Sequence, residues 1–297
     1  MVELTCIIPA YNEAESLLHL WPRLADALHR TASWEAMIID DGSTDGTWPV
    51  IERLSLADKR CQGIRLKTNQ GKSAALMAGF QAATGTIVVT MDADLQDEPQ
   101  EIPKLIEPIR RGEADVVGGW KQDRQDPAVK RISSKIFNSL ANRVAQTGFH
   151  DLNCGLKAYR LEVVKDLDLY GDLYRFIPVL ASAQGWRVME LPVQHHAREY
   201  GQSKYGLRLG GIFDLVTLGL ITKYRWRPLH FFGSWGALFF LFGLASLVYL
   251  TVVHFQGHPI NDRPLLLFGI LMIITGLQLF FTGLLADLIL HHQSRRK

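Results

Sequence analysis

The residues best suited to chemistry follow the apolar segment Thr86–Met91, where the chain reads Asp-Ala-Asp-Leu-Gln-Asp from Asp92 to Asp97. The apolar segment predicts a buried strand, and extended backbone places Asp92 and Asp94 on one face. Two hard oxygen ligands at the carboxyl end of a strand suit a divalent cation, which usually arrives with a substrate phosphate. A polar loop rich in Asp is the alternative, and this motif alone leaves both interpretations open.

Three further polar clusters follow other apolar segments, at 11–13, 40–43 and 69–71. Tyr11 is suited to stack on a nucleobase and Glu13 to hydrogen-bond to it, although the same segment also fits a plain helix start. The carboxylates at 40–41 suit a base or a ribose, whereas Ser43 or Asp45 can simply cap the next helix. Because the first strand lacks a Gly-x-Gly-x-x-Gly sequence and a Walker-type loop, dinucleotide-binding and NTPase functions are disfavoured.

The elements that must position these clusters alternate between strand and helix up to about Gly119. We predict strands at 4–9, 36–39, 64–66, 86–91 and 115–117, and helices at 13–30, 47–56, 73–83 and 101–111. Such alternation is typical of an α/β fold with a parallel sheet flanked by helices. Ligands of such sheets bind at the carboxyl ends of the strands, where all four clusters fall. Further strands are predicted at 155–160 and 188–194.

The segment Pro127–Gln146 has one apolar and one basic face, which fits either a surface helix packed on the domain or a helix on a bilayer surface. Leu207–Tyr224 is apolar nearly all round, which predicts a helix bedded in the membrane interface.

Two long apolar segments come last. Leu229–Phe255 carries no formal charge and Leu265–Leu290 carries only Asp287. At ~1.5 Å rise per residue, each is long enough to cross a hydrocarbon core of ~30 Å, and the short loop between them predicts a membrane hairpin. The positive-inside rule places both termini in the cytoplasm, because basic residues flank the pair at Lys223, Arg225, Arg227, Arg295, Arg296 and Lys297.

Composition narrows the function classes. The 297 residues carry a formal charge of only +2, which gives no electrostatic reason to expect a nucleic-acid partner. Cys6, Cys61 and Cys154 are few, odd in number and widely separated, so they argue against a disulfide framework or a structural zinc site. The chain enters a strand pattern at once, so we expect no cleavable signal peptide.

Taken together, these motifs closely resemble those of the family-two inverting glycosyltransferases of GT-A fold. The resemblance lies in the order and spacing of Pro9–Glu13, Asp40–Thr47, Asn69–Ala75 and Asp92–Pro99. Later segments resemble the polyprenyl-phosphate glycosyltransferase branch, which includes dolichol-phosphate mannosyltransferases and bacterial undecaprenyl-phosphate sugar transferases. Those segments are 151–160, 175–178 and 198–205.

The resemblance implies a GT-A (Rossmann-like), mostly parallel sheet flanked by helices, with interfacial amphipathic helices and a C-terminal two-helix transmembrane hairpin. The implied layout is a cytoplasmic GT-A catalytic domain at 1–205, a juxtamembrane interfacial helix at 206–228, transmembrane helices at 229–255 and 265–290, an external loop at 256–264, and a basic cytoplasmic tail at 291–297.

The resemblance also assigns roles to residues. The base and ribose of the nucleotide would be held by Pro9, Tyr11, Glu13, Asp41 and the backbone of Ile39. The sugar donor would be contacted by Asp92, Ala93 and Asp94, and a Mg²⁺ or Mn²⁺ ion would be bound by Asp92, Asp94 and Gln96. The donor and acceptor phosphates would be met by Lys121, Arg124, Arg198, Ser203 and Lys204.

Two of these assignments carry alternatives. Lys121 stands where several relatives carry Arg, which keeps the charge but loses the bidentate fork. Asp151 would orient or polarise the acceptor, or is simply a turn carboxylate. The expected catalytic set is Asp94, Asp151, Arg198 and Lys204.

The implied reaction transfers a single sugar, with inversion, from a UDP- or GDP-sugar to undecaprenyl or dolichyl phosphate at the cytoplasmic leaflet. The second pKa of a phosphate monoester is ~6, so the acceptor is largely dianionic at pH 7 and needs to be oriented more than it needs a general base. Membrane lipid, a flippase and a homo-oligomer, either tetramer or dimer, are the further partners suggested.

Two rival functions differ from this one. A processive polysaccharide synthase would carry Gln-x-x-Arg-Trp, but Thr222 holds the Gln position before Arg225 and Trp226. A membrane scaffold that binds a nucleotide sugar without turnover is the non-enzymatic rival, and the full set of carboxylates and basic residues argues against it.

Overall fold

The computed structural model describes residues 2–31, 33–122, 148–196, 217–220, 222, 224, 227–257, 259 and 264–294. The chain divides into two units, Met1–Leu218 and Gly219–Lys297. Several predictions fall outside the described residues: the helix at 127–146, most of the helix at 207–224, the basic tail at 295–297, and Arg124, Arg198, Ser203 and Lys204.

The first unit begins with alternating strands and helices, as predicted. Its strands are β1 (Leu4–Ala10), β2 (Trp34–Asp40), β3 (Cys61–Arg65), β4 (Ile87–Thr90), β5 (Val116–Lys121), β6 (Lys157–Arg160) and β7 (Val188–Val193). Its helices are α1 (Ala14–Ala27), α2 (Thr47–Ala57), α3 (Lys72–Ala82), α4 (Ile102–Arg110), α5 (Leu161–Lys165) and α6 (Ile177–Ala183), with 3₁₀ turns at Pro99–Glu101 and Leu173–Phe176.

The strands form one sheet in the order β3-β2-β1-β4-β6-β5-β7. Strand β6 runs antiparallel to β4 and β5, and the other pairs are parallel. The mostly parallel α/β sheet is therefore confirmed. Strand β5 is longer than predicted, because it pairs with β7 as far as Lys121 through a Gly-Gly step that carries little strand signal.

The core lies between this sheet and its helices. Leu17, Leu20 and Leu24 recur at helical spacing along α1 and are at most 1% exposed, which is the periodicity of a helix with one buried face. They belong to one apolar cluster with Leu4 and Ile8 of β1. Burying a side chain of this size contributes about 1.5–3 kcal/mol, so the central strands are firmly held beneath the polar loops.

The second unit contains two long helices, α7 (Pro228–Phe255) and α8 (Pro264–Ser294). Their most apolar windows have mean hydropathies of 2.2 and 2.3, and only 17% and 11% of those windows is buried. Both are long and apolar enough to cross a membrane, so the prediction of two such helices is confirmed. An apolar surface of this extent requires a nonpolar partner, and a bilayer provides one.

Glycines allow these two helices to pack closely. A Cβ atom on Gly236 would lie 2.7 Å from the carbonyl oxygen of Gly276, and one on Gly243 would lie 2.6 Å from that of Gly269. Small residues at such contacts are typical of helix packing in membranes. Asp287 of α8 accepts a hydrogen bond from the backbone N–H of Leu229 of α7 at 3.4 Å.

Candidate active site

The sheet brings the polar clusters to one edge. Strands β2, β1 and β4 are neighbours and run parallel, with Ala10 opposite Asp40 and Ile7 opposite Thr90. The loops that follow them carry the clusters at 11–13, 41–43 and 92–97. The carboxyl edge of a parallel sheet is where such folds bind ligands.

The first two loops hold each other through side-chain-to-backbone hydrogen bonds. The N–H of Asn12 donates to Ser43 Oγ at 2.9 Å, and the N–H of Thr44 donates to Asn12 Oδ1 at 2.9 Å. Asn12 has a φ of 53°, a left-handed conformation that Asn tolerates better than most residues. The backbone between Tyr11 and Glu13 is therefore fixed by its neighbour loop.

Glu13 is 8% exposed and accepts a hydrogen bond from Ser16 Oγ at 2.8 Å, while its N–H donates to Thr47 Oγ1 at 2.9 Å. Tyr11 is half-buried, and Pro9 lies opposite Ile39 in the ladder of β1 and β2. The predicted base-binding and ribose-binding residues thus share one corner of the edge. Their contacts with a nucleotide stay a prediction.

Asp41 joins the loop after β2 to the loop after β3. Its two carboxylate oxygens accept from the N–H groups of Gln70 and Gly71, at 2.8 and 2.9 Å. Burial raises the pKa of Asp41 above its ordinary value, even though these two hydrogen bonds oppose the shift. At Gly42, φ is +69° and a Cβ would lie 2.4 Å from the backbone of Thr68, so only glycine fits.

The loop from Asp92 to Gln96, the predicted metal loop, follows β4 directly. Asp92 Oδ1 forms an ion pair with Lys72 Nζ. Asp94 is 9% exposed, and its Oδ1 accepts from the N–H of Gln96 at 3.2 Å. Leu95, between them, has a φ of 61° and is 2% exposed. A left-handed leucine is strained and persists only where its surroundings hold it, so burial of this side chain fixes the turn that carries the predicted ligands.

Lys72, the first residue of α3, contacts both this loop and the 3₁₀ turn at Leu173–Phe176. Its Nζ lies 4.9 Å from the centre of the Tyr174 ring as well as against Asp92, and the N–H of Tyr174 donates to Ser73 Oγ at 3.3 Å. Burial would lower the pKa of Lys72, but the charge of Asp92 holds it above the ordinary value, so Lys72 is a cation here.

Asp97, the residue after this loop, is a buried carboxylate that contacts the start of the loop. Its side chain is 1% exposed, with Oδ1 lying 3.5 Å from Lys121 Nζ and 3.7 Å from His195 Nδ1. The N–H of Asp92 donates to Asp97 Oδ2 at 3.4 Å. Burial would raise the pKa of Asp97, but the charge of Lys121 and the adjacent His195 ring hold it well below the ordinary value. Lys121 is therefore a half-buried ion-pair partner of Asp97, and its phosphate contact stays a prediction.

The segment after β7 lies along the same loop. His195 forms a β-bridge with Asp97, and the N–H of His196 donates to the carbonyl of Gln96 at 2.9 Å. In return, the side-chain amide of Gln96 donates to the carbonyl of His196 at 3.3 Å. His196 Nε2 lies 3.1 Å from Glu98 Oε2. The two histidines thus contact different carboxylates.

Asp151 lies in a turn held by Glu190 of β7. Glu190 accepts from the N–H groups of His150 and Asp151 at 2.9 and 2.8 Å, and its carboxylate lies 3.0 Å from His150 Nδ1. Asp151 is 1% exposed, and its Oδ1 accepts from the N–H of Asn153 at 3.0 Å. That contact is typical of a turn carboxylate, and a role toward the acceptor stays a prediction.

The metal loop offers a suitable donor set for a divalent ion. Within the parts of the chain that the structure describes, no three His, Cys, Asp or Glu side chains converge into a ready cage. Mg²⁺ does not require one, because it is commonly held by one or two carboxylates together with substrate phosphates and water. The carboxylates of Asp92 and Asp94 and the amide of Gln96 are hard ligands of this kind, on one fixed turn.

Beyond the predicted site residues, the structure places four further residues at this edge of the sheet: Lys72 and Asp97 at the metal loop, His195 beside Asp97, and Glu190 at the turn of Asp151. Lys72 and Asp97 stand inside motifs already singled out, so their positions gave a signal. For Glu190 the only signal was the strand pattern at 188–194, and His195 follows that strand directly as the first of two adjacent histidines.

Comparison with known proteins agrees with this geometry. The model of glycosyl transferase family 2 matches residues 5–168. Dodecaprenyl-phosphate galacturonate synthase of Rhizobium johnstonii is 36% identical, over 97% of this chain and 88% of the relative. Undecaprenyl-phosphate 4-deoxy-4-formamido-L-arabinose transferase of Edwardsiella ictaluri is 37% identical, over 95% of this chain and 87% of the relative.

The chain belongs to glycosyl transferase family 2.

Solved structures support the fold of this family-two glycosyltransferase. Mannosyl-3-phosphoglycerate synthase from Rubrobacter xylanophilus superposes with a TM-score of 0.59 at 15% identity, covering 75% of each chain. Glucosyl-3-phosphoglycerate synthase from Mycobacterium tuberculosis, in complex with Mn²⁺ and UDP-glucose, gives a TM-score of 0.53 at 17% identity and covers 75% of this chain and 79% of its own. Proteins of this fold have thus been seen with a divalent ion and a nucleotide sugar.

Proposed function

We propose that this glycosyltransferase moves one sugar from a nucleoside diphosphate sugar to a polyprenyl phosphate, with inversion, at the cytoplasmic face of a membrane. The observation that carries the proposal is the extent of the similarity. Two relatives named for sugar chemistry on dodecaprenyl and undecaprenyl phosphate align with 97% and 95% of this chain, so the alignments include the apolar helices α7 and α8.

The donor end of the reaction fits the edge of the sheet. The corner formed by Pro9, Tyr11, Glu13, Ile39 and Asp41 binds the base and ribose. The loop from Asp92 to Gln96 receives the diphosphate of the same nucleotide, because β4, which precedes this loop, is the neighbour of β1 in the sheet. When bound there, Mg²⁺ or Mn²⁺ neutralises the charge that develops on the leaving diphosphate.

The acceptor is a phosphate monoester that is already largely dianionic near neutral pH. Its attack requires orientation and loss of water rather than a strong general base. We assign this orientation to Arg124, Arg198, Ser203 and Lys204, together with Lys121. Asp151, on its Glu190-held turn, orients the acceptor from the neighbouring loop.

The membrane arrangement follows from the two apolar helices. We propose that α7 and α8 cross the bilayer as a hairpin, with the catalytic domain, 1–205, the interfacial helix, 206–228, and both termini on the cytoplasmic side. The expected product then faces the cytoplasm, and a separate flippase carries it across. A tetramer or dimer of this chain is part of the same proposal.

Purified protein with labelled UDP- and GDP-sugars, undecaprenyl phosphate and Mn²⁺ or Mg²⁺ tests the proposal. We expect label in the lipid fraction as a single-sugar product, lost on chelation of the metal and in Asp94→Asn. Polymeric product would favour a polysaccharide synthase, and donor binding without transfer would favour a scaffold. A full panel of common donors without lipid-linked label would refute the proposed function.

A further inference from the structure

Asp97 stands immediately after the metal loop and is a buried carboxylate. Its side chain is 1% exposed and faces Lys121 of β5 and His195 of the segment after β7. It also accepts from the N–H of Asp92, which joins the two ends of the loop. None of the roles assigned above explains why a charge is buried at this position.

We propose that Asp97 is the positioning residue of the metal loop, fixing the carboxylates of Asp92 and Asp94 by tying the loop to Lys121 and His195. The inference rests on the proposed metal-dependent reaction. Asp97 itself does not contact the ion. It acts through Asp92 and Asp94, whose separation depends on the turn that Asp97 holds closed.

Three independent contacts support this role. The backbone of Asp97 is bridged to His195, its Oδ1 faces two basic side chains, and its Oδ2 accepts from Asp92. These contacts hold the loop through the backbone of Asp97 and through both of its carboxylate oxygens. Such over-determination is what a strained residue such as Leu95, with its φ of 61°, requires in order to persist.

The close approach of Gly155 gives a further reason. A Cβ atom there would lie 2.6 Å from Asp92 Oδ2 and 2.8 Å from Asp97 Oδ2, so both carboxylates pack closely against Gly155. Because the Asp97 carboxylate contacts both Gly155 and Lys121, its side chain has little room to rotate. Rigid partners behind metal ligands commonly set affinity, and their loss weakens metal binding about 10- to 100-fold.

The chain supplies a matched control. Asp115, just before β5, is also a buried carboxylate held by two basic side chains, Arg160 at 3.3 Å and Arg187 at 2.9 Å. It stands at the opposite end of β5 from Lys121. Asp115→Asn therefore removes a comparable ion-paired charge without touching the metal loop.

The test measures binding of Mn²⁺ by electron paramagnetic resonance of the free ion, with UDP and, in parallel, GDP present. We expect Asp97→Asn to raise the Mn²⁺ dissociation constant about tenfold or more, and Asp115→Asn to leave it within about twofold of the unmodified protein. Near-equal Mn²⁺ binding by folded Asp97→Asn would overturn the inference.

His195→Gln separates positioning from simple electrostatics and serves equally if Asp97→Asn does not fold. Removing a basic ring should strengthen or leave unchanged the binding of a cation if only charge matters. If His195 holds the loop, its loss weakens Mn²⁺ binding, by about threefold or more. Unchanged or tighter binding in His195→Gln contradicts the inference.

This measurement needs no lipid acceptor, so the two claims fail separately. Loss of Mn²⁺ affinity in the variants, without any transfer to polyprenyl phosphate by the unmodified protein, would refute only the proposed function. Transfer by the unmodified protein, with Mn²⁺ binding unaffected by Asp97→Asn and His195→Gln, would refute only the role of Asp97.

Discussion

Gly155 is the position at which a single added methyl group should separate activity from folding. In Gly155→Ala the new Cβ meets Asp92 Oδ2 at 2.6 Å and Asp97 Oδ2 at 2.8 Å. Ordinary contact begins near 3.4 Å, so the two carboxylates must withdraw by roughly 0.8 and 0.6 Å. Neither moves easily, because Lys72 holds Asp92 and Lys121 holds Asp97.

The size of the effect follows from that displacement. Crowding a filled site costs about 1–3 kcal/mol of unfolding free energy, which most folded proteins survive. A misplacement of about 1 Å in a reacting assembly can lower the rate about 100-fold. We therefore expect Gly155→Ala to remain folded while its sugar transfer falls by between about 10- and 100-fold.

The assay compares the transfer rate, per folded molecule, of Gly155→Ala and Gly63→Ala. At Gly63 an added Cβ meets Ile51 Cγ2 at 2.6 Å, which is an equal clash between β3 and α2. We expect similar losses of melting temperature but normal transfer in Gly63→Ala. Near-normal transfer by Gly155→Ala, or an equal loss of activity in Gly63→Ala, would contradict the conclusion that the close packing at Gly155 supports catalysis.

Other expected outcomes follow from single contacts. Glu190→Gln should raise the KM for polyprenyl phosphate about tenfold through loss of a charged acceptor at the Asp151 turn, with the donor KM unchanged. In detergent, Gly236→Ala should lower the melting temperature, with a cost of about 1–3 kcal/mol, whereas Gly233→Ala should not, since its nearest contact is 3.6 Å. Arg187 holds the pKa of Asp115 at about 2, below the ordinary 3.8. The ionised Asp115 should therefore stabilise the fold fully above about pH 4, and this stabilisation should be lost as the pH falls toward 2. The melting temperature of Asp115→Asn should lack this pH dependence.

The sequence predicts most of the fold because its central strands are largely apolar and several of its helices have a clear apolar face. The run at 86–91 and the Leu17, Leu20 and Leu24 spacing of α1 are examples. Strand direction is not encoded in such patterns, so the antiparallel β6 could not be predicted from the chain. The short helix α5 and the 3₁₀ turns lack enough residues to show a period.

The metal loop stands out in the sequence because its proposed ligands are close together along the chain and follow a strand. Its supports do not, because Asp97 meets Lys121 and His195 only after β5 and β7 pair side by side. A lysine in a strand and a histidine after one carry no local sign of a buried partner. The same holds for Glu190, whose strand pattern gave no indication that its carboxylate would hold the turn at 150–151.

The charges around the loop bear on how an ion is bound. Asp92 and Asp97 each face a lysine, Lys72 and Lys121, within ion-pair distance. A divalent cation approaching alone would meet carboxylates whose charge is already balanced, and like charges repel in a site shielded from water. A nucleoside diphosphate brings the missing negative charge and can itself accept contacts from the two lysines. We therefore expect an ion at this loop to bind together with the donor, with a metal affinity that depends on the nucleotide.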